Sequence, residues 1–346
     1  MPKFLVNADG TLGRHNDLHA HSVEHKMGIH ASPTCTMVYG DKGEAVGYLI
    51  GKEHAGMLCM FTMMNEARLA VGLQGVAIAE RVLQQALQYA RDRKQGRGDG
   101  PNAPPSVSIM EHADVRRMLL TMRSLTRAAR AICYATAIAL DRSHHEKDVS
   151  RRKAAQERAA LLTPLSKAFS TDIGIEVASL GVQVHGGMGF IEETGAAQHY
   201  RDARIAAIYE GTNGIQSIDL VTRKLPLSGG ETVKAFIAEL RDIVRSVQAT
   251  NDPAFGATAT RLTEALDALD RATAWSMARL VPDAKAVLAG ATPYLRLFAS
   301  ATGGCLLANE ALAAIRLTGD SVSSSADRIA LARSSQAGAL RSRPLK

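Results

Sequence analysis

Residues 69–91, LAVGLQGVAIAERVLQQALQYAR, decide the fold class. Leu69, Leu73, Val76, Leu83 and Leu87 recur at helical steps, while Arg81, Gln84, Gln88 and Arg91 fall on other faces, which predicts an amphipathic helix from about Leu58 to near Gln95. The run GRGDGPNAPPS (96–106) cannot continue a helix. Asp114 is then placed to cap a second helix with the stripe Val115, Leu119, Met122, Leu125, Ala129 and Ile132. A third runs from about Asp148 towards Val184, with Pro164 placed to kink it, and stops at Gly186-Gly187-Met188-Gly189. A shorter helix starts near Gln198, and another carries Ile215, Ile218 and Val221. Long helices joined by short breaks describe a bundle.

Working outward, the pattern restarts after Leu227-Ser228-Gly229-Gly230 with helices near 231–249, 258–280 and 284–318. The Ser-rich break Ser321 to Ser325 and a basic end follow. This part reads as a separate helical appendage. Towards the amino terminus, residues 1–57 carry short apolar runs between turn signals, with Phe4–Val6, Cys35–Tyr39 and Val46–Ile50 as candidate strands. Three short strands cannot bury a sheet by themselves. Composition agrees with a mainly α protein, because 46% of residues are hydrophobic but only 4% aromatic, and Ala and Leu supply most apolar positions.

The formal net charge is +7, yet basic residues stand beside acidic ones, as in Arg91-Asp92-Arg93, and no base-reading or RNA-binding motif accompanies them; no nucleic-acid partner is expected. Cys35, Cys59, Cys133 and Cys305 are far apart and read as reduced, buried thiols in cytoplasm. No signal-type apolar run or stretch of about twenty consecutive apolar residues occurs, so no membrane association is expected. His15, His19, His21, His25 and His30 lack a Cys or carboxylate set to complete a metal site and read as hydrogen-bonded surface groups. Met57, Met60, Met63 and Met64 read as adaptable packing.

Two linked motifs carry chemistry. Ile208-Tyr209-Glu210-Gly211-Thr212-Asn213-Gly214-Ile215-Gln216, preceded by Tyr200-Arg201-Asp202-Ala203-Arg204-Ile205, resembles the catalytic segment of acyl-CoA dehydrogenases. Upstream, Gly181-Val182-Gln183-Val184-His185-Gly186-Gly187-Met188-Gly189 resembles the family's flavin-contact turn. Glu66-Ala67-Arg68-Leu69, opening a helix that closes on Tyr89 to Gly96, resembles its first long bundle helix. Glu24 to His30, Ser32-Pro33-Thr34 and the tail after Gly230 look closest to the long subgroup that includes 3-(methylthio)propanoyl-CoA dehydrogenases. The resemblance implies a remnant of the middle β-domain at 1–57, a helical bundle with the flavin and catalytic motifs at 58–227, and a carboxyl-terminal helical appendage at 228–346. The amino-terminal helical domain and most of the β-domain of a family member would lie outside this chain.

The resemblance also implies the chemistry. Taking the α-proton of a thioester needs a base within hydrogen-bond reach and donors for the charge that develops on the carbonyl oxygen. Glu210 would be the base, its own N–H and a flavin ribityl hydroxyl the donors, and flavin N5 the acceptor of the β-hydride. A carboxylate is a weak base in water, and burial against acyl chain and flavin is what lifts one towards the operating range. Gly211 would let substrate approach the backbone, and Thr212 would hydrogen-bond the flavin. Gln183, Gly186 and Gly187 would meet the adenine half of FAD from a partner subunit, with Arg93 at its pyrophosphate and Gln95 beside it. Gln95-Gly96-Arg97 lacks the aromatic residue the family carries there. Asn65 and Arg68 would lie on the substrate side; Ala67 stands where one branch of the family has its base, which favours Glu210. Acyl-CoA, an electron-transfer flavoprotein and a homodimer or homotetramer are the implied partners. The alternatives are an acyl-CoA oxidase and a non-catalytic helical oligomerisation fragment.

Overall fold

The structure is a computed structural model that describes residues 1–99, 101–102, 104–316 and 322–339, with backbone alone at 62, 65, 322–325 and 335–339. It divides into two compact units, Met1–Met64 and Asn65–Lys346.

In the first unit, β1 (Phe4–Val6) pairs antiparallel with β2 (Leu12–His15), and β3 (Leu18–Val23) with β4 (Cys35–Tyr39). The Asp9-Gly10 turn closes the first hairpin: Gly10 takes φ +83° and Asp9 Oδ1 accepts from Thr11 N at 3.0 Å. The expected strand Val46–Ile50 is absent. Its backbone is captured instead by buried Asn16, whose Oδ1 accepts from Val46 N at 2.9 Å and whose Nδ2 donates to Val46 O at 2.8 Å. A side-chain amide has taken the groups that a ladder would use. The unanticipated strands β2 and β3 are polar, and β3 carries His19 and His21, both with little burial. Among the described residues no group of three or more metal-binding side chains forms. Met57, Met60 and Met63 are exposed, contrary to a packing role.

The helices are α1 (Gly56–Asp92), α2 (Ala113–His145), α3 (Val149–His185), α4 (Ala196–Ala203), α5 (Asn213–Asp219), α6 (Glu231–Ala249), α7 (Thr258–Arg279), α8 (Ala284–Ala289), α9 (Ala291–Arg316) and α10 (Val322–Ala339). Asp148 caps α3, its side chain accepting from Arg151 N at 2.8 Å, and Pro164 lies inside that helix. Asp114 is not the cap of α2. His112 holds that position, and Asp114 lies in the first turn paired to Arg117 at 2.7 Å. Gly290 divides the expected 284–318 helix into α8 and α9, while Val322 to Ser325, read as part of a break, belong to α10. Ser321 and the basic end lie outside the described residues.

Within the second unit α1 and α3 touch at backbone level. A Cβ on Gly75 would stand 2.4 Å from Ser170 O, so that position admits no side chain without separating the helices, and one on Gly181 would press on the Val82 side chain, 2.2 Å from Cγ1. Met122, Ile132, Leu161, Leu165, Phe169 and Ile173 fill the space with α2, each fully buried or nearly so. The later helices share this core rather than closing one of their own, with Phe298, Leu240 and Leu266 continuous with it. Arg296 of α9 reaches Glu176 of α3 at 2.8 Å, and Arg127 of α2 reaches Glu310 of α9 at 2.7 Å. Among the described residues α9 alone is long and apolar enough to cross a bilayer, but its apolar side chains are core. Cys133 and Cys305 are buried thiols, whereas Cys59 is exposed and Cys35 half-buried, so the expectation of four buried thiols fails at two positions.

Candidate active site

The segment from α4 to α5 turns back on itself at Glu210. Tyr209 N donates to Ile205 O at 3.1 Å, closing a short helical turn, and the Tyr209 hydroxyl donates to Gln74 Oε1 on α1. Glu210 (φ +53°) and Gly211 (φ +82°) then occupy the left-handed region in succession, which is unfavourable for a residue with a Cβ. Gly211 suits the turn on two counts, because it takes the positive φ without a Cβ and a Cβ there would also stand 2.8 Å from Gln216 Nε2. Thr212 ends the reversal: its Oγ1 accepts from Ile215 N at 3.3 Å and caps α5. The hydroxyl of that cap keeps its proton to donate elsewhere. Glu210 is half-buried, and among the described residues nothing accepts a hydrogen bond from its N–H.

Charge is concentrated beneath this turn. Arg68 of α1 is only 8% exposed and places Nη1 3.9 Å from Asp219 Oδ2. Asp219, 2% exposed, also meets Arg223 Nε at 2.5 Å and Lys224 Nζ at 3.7 Å. Gln216 Nε2 reaches Glu210 O at 3.5 Å. Arg68 Nε and Gln216 Oε1 are buried without a hydrogen-bond partner, and such atoms are costly unless a ligand or water satisfies them. On α3, Lys167 is fully buried and donates to Asn213 Oδ1 at 2.9 Å, while Asn213 Nδ2 donates to Asp172 Oδ1 at 2.7 Å. Burial pushes the Lys167 ammonium down to about 8; Asp172 opposes that shift, Arg68 adds to it and Glu210 opposes it. Burial likewise raises the Asp172 carboxyl, against the Asn213 hydrogen bond and the charges of Arg296, Lys167 and Arg204.

Of the residues expected from sequence, the structure therefore gathers Glu210, Gly211, Thr212 and Arg68. Asn65 lies on α1, its side chain outside the described residues. Lys167, Asn213, Gln216 and Asp219 were not singled out. Asn213 and Gln216 lie inside the quoted motif without an assigned role, and the one available signal for Lys167 was a lone charge in the otherwise uncharged stretch from Leu161 to Phe169.

Gln183, Gly186, Gly187, Arg93 and Gln95 form a second group, where α1 and α3 end. Tyr89 stacks on His185 with ring centroids 4.4 Å apart, and His185 Nδ1 is hydrogen-bonded to Gly181 O at 2.7 Å. Gly186, at φ +60°, ends α3. Gln183, Gly186 and Gly187 are exposed, and a Cβ on either glycine would meet nothing within 4 Å. Arg93 and Gln95 are exposed as well; the Gln95 backbone bonds Val107 O at 2.9 Å and His112 Nε2 at 2.7 Å. Gln85 links Thr194 O (2.7 Å) to His199 Nε2 (3.0 Å), and burial, with Arg81 nearby, holds the His199 imidazole below its ordinary pKa. At 1.5 Å per residue, Gln74 beside Tyr209 and Tyr89 beside His185 are about 22 Å apart along α1. A single chain does not bring the two groups together.

Two family models match in tandem: "Acyl-CoA dehydrogenase, C-terminal domain" over residues 54–225 and "Acetyl-CoA dehydrogenase C-terminal like" over residues 231–334. The chain belongs to the acyl-CoA dehydrogenase family. A 3-methylmercaptopropionyl-CoA dehydrogenase of Ruegeria pomeroyi is 47% identical over 314 residues, covering 91% of this chain and 53% of that protein. A butyryl-CoA dehydrogenase of Syntrophomonas wolfei is 35% identical, covering 91% and 52%. Among solved structures, the acyl-CoA dehydrogenase of Bacillus anthracis complexed with FAD superposes with a TM-score of 0.72 at 21% identity, over 94% of this chain and 55% of that one. Caenorhabditis elegans ACDH-11 gives 0.76 at 19% identity, over 95% and 51%. At those identities the superpositions establish the fold. The chain spans about half the length of the acyl-CoA dehydrogenases it matches.

Proposed function

We propose that this chain forms the helical part of an FAD-dependent acyl-CoA dehydrogenase in which Glu210 takes the α-proton of the thioester. The observation that carries the reading is the turn at Glu210, a half-buried carboxylate whose own N–H is left without an acceptor among the described residues. A thioester oxygen taking that N–H would place its developing negative charge on a fixed donor while its α-carbon lies near the carboxylate. Gly211 leaves room for that approach. Ile208, Tyr209 and Ile215 are exposed around the turn, an apolar rim that an acyl chain and a flavin ring would cover. The unpartnered Arg68 Nε and Gln216 Oε1 supply a donor and an acceptor to a polar ligand at the floor of the turn.

FAD, when bound, supplies the acceptor for the β-hydride. The Thr212 hydroxyl would donate to the flavin, and Arg93, Gln95, Gln183, Gly186 and Gly187 would hold the adenosine and pyrophosphate portion of a partner subunit's FAD. The separation of the two groups on one chain supports that division, as does the exposure of Gln183, Gly186 and Gly187. The assembly would then be a homodimer or homotetramer, passing electrons to an electron-transfer flavoprotein in the cytoplasm. The match at 47% identity supports a small thioester such as a methylthio-substituted propanoyl-CoA as substrate. In FAD-loaded protein, Glu210→Gln should still bind acyl-CoA but lose anaerobic bleaching of the flavin. Bleaching at an undiminished rate would reject the assignment.

A further inference from the structure

Lys167 is fully buried in the middle of α3. A buried ammonium is costly unless its charge is held by partners. Its Nζ donates to Asn213 Oδ1 at 2.9 Å, and the other end of the same carboxamide donates to Asp172 Oδ1 at 2.7 Å and to Ala168 O at 3.1 Å. Cation and carboxylate on one helix thereby fix which way the amide faces, since flipping it would set N–H against ammonium and carbonyl against carboxylate. Asn213 opens α5 three residues after Glu210. Between the Tyr209 bond to Gln74 and this clamp lie the two consecutive left-handed residues, Glu210 and Gly211. Such a conformation persists only where its surroundings hold it.

We propose that Lys167 is the positioning residue of the catalytic segment: through Asn213 it fixes the end of the turn that presents Glu210. The inference rests on Glu210 being the base. The charged groups facing Lys167 are Asp172 on its own helix, Arg68 on α1 and Glu210 on the turn, so its cation also balances the carboxylates there.

The test is amide hydrogen exchange on the full chain, comparing peptides over 209–216 with peptides over α6. Lys167→Met should speed exchange of 209–216 about tenfold and leave α6 unchanged, the scale of losing one charge-assisted hydrogen bond. Asn213→Ala, which leaves Lys167 and Asp172 to pair with each other, should give the same local loss and decides the matter if Lys167→Met does not fold. The double variant should exchange no faster than either single one, because both act on one clamp. In FAD-loaded protein, Lys167→Met should slow flavin bleaching about tenfold or more with acyl-CoA affinity within about twofold, as misplacement of a base does. Unchanged exchange at 209–216, equal loss in α6, or additive single effects would overturn the proposal. Exchange needs no turnover, so a lost clamp beside a fully active Glu210→Gln would refute the base and leave the clamp standing.

Discussion

Asp219→Asn should be among the most damaging isosteric changes in the second unit. The carboxylate is 2% exposed and meets three cations, but Arg223 is 66% exposed and turns readily to water, whereas the Arg68 side chain is 10% exposed and trapped. At 3.9 Å, the Arg68 to Asp219 attraction is about 4 kcal/mol for an effective dielectric constant near 20. Asn keeps the shape and removes the charge, leaving a buried guanidinium that already has an unpartnered Nε; breaking such a pair costs about 3–5 kcal/mol. With an unfolding entropy of about 2.1 cal/mol/K per residue, that corresponds to a fall in Tm of about 4–7 °C for a chain of 346 residues. Differential scanning calorimetry reads this directly. Arg223→Gln, losing an exposed partner, should cost under about 1 kcal/mol. Arg68→Met combined with Asp219→Asn should be less destabilising than the sum of the two by about 2 kcal/mol. Strict additivity, or an Asp219→Asn shift no larger than that of Arg223→Gln, would refute the reasoning that Asp219 exists to hold Arg68.

Three further outcomes are expected. Gly75→Ala should destabilise by about 2 kcal/mol, because its Cβ would press on the Ser170 carbonyl at 2.4 Å, whereas Gly187→Ala meets open space and should leave Tm unchanged in protein without ligand; equal effects would contradict the close contact of α1 with α3. Lys167 titrates near 8 when folded and 10.5 when unfolded, so between those values the unfolded chain binds more protons and stability gains from rising pH. Urea unfolding should show the wild type gaining up to about 1 kcal/mol on Lys167→Met from pH 8 to 9, and an opposite slope would contradict the burial of that cation. A thiol reagent at pH 8 should label Cys59 fastest and Cys35 more slowly, and spare Cys133 and Cys305, whose thiols burial raises to about 11 and about 12; rapid labelling of all four in folded protein would contradict the packing around α2 and α9.

What the sequence made legible follows from which interactions repeat along the chain. The 3.6-residue stripe of α1 and the Asp148 cap of α3 are local signals, and they place those helices within a few residues of where they lie. The strand β2 carries no apolar alternation, and in β3 only Leu18 and Ala20 alternate with His19 and His21, with no buried face to extend the pattern, too short a signal to separate either from a loop. Val46–Ile50 has the composition of a strand, but a single Asn16 thirty residues away holds its start. The candidate site divides in the same way. Glu210 to Gln216 is contiguous and recognisable as a unit, whereas Lys167 is one charged residue whose meaning comes from Asn213, 46 positions distant. Asp219 carries no signal of its own in the sequence, since an Asp four residues before an Arg fits a solvated helix face equally well, and its burial against Arg68 follows from the fold alone.

The most direct measurement is an anaerobic titration of the FAD-loaded protein with a short acyl-CoA, followed by the visible absorbance of the flavin. Wild type should bleach on addition of the thioester, and Glu210→Gln should perturb the spectrum by binding yet stay oxidised. A wild type that binds both ligands without bleaching, or a Glu210→Gln variant that bleaches as fast as wild type, would contradict the account.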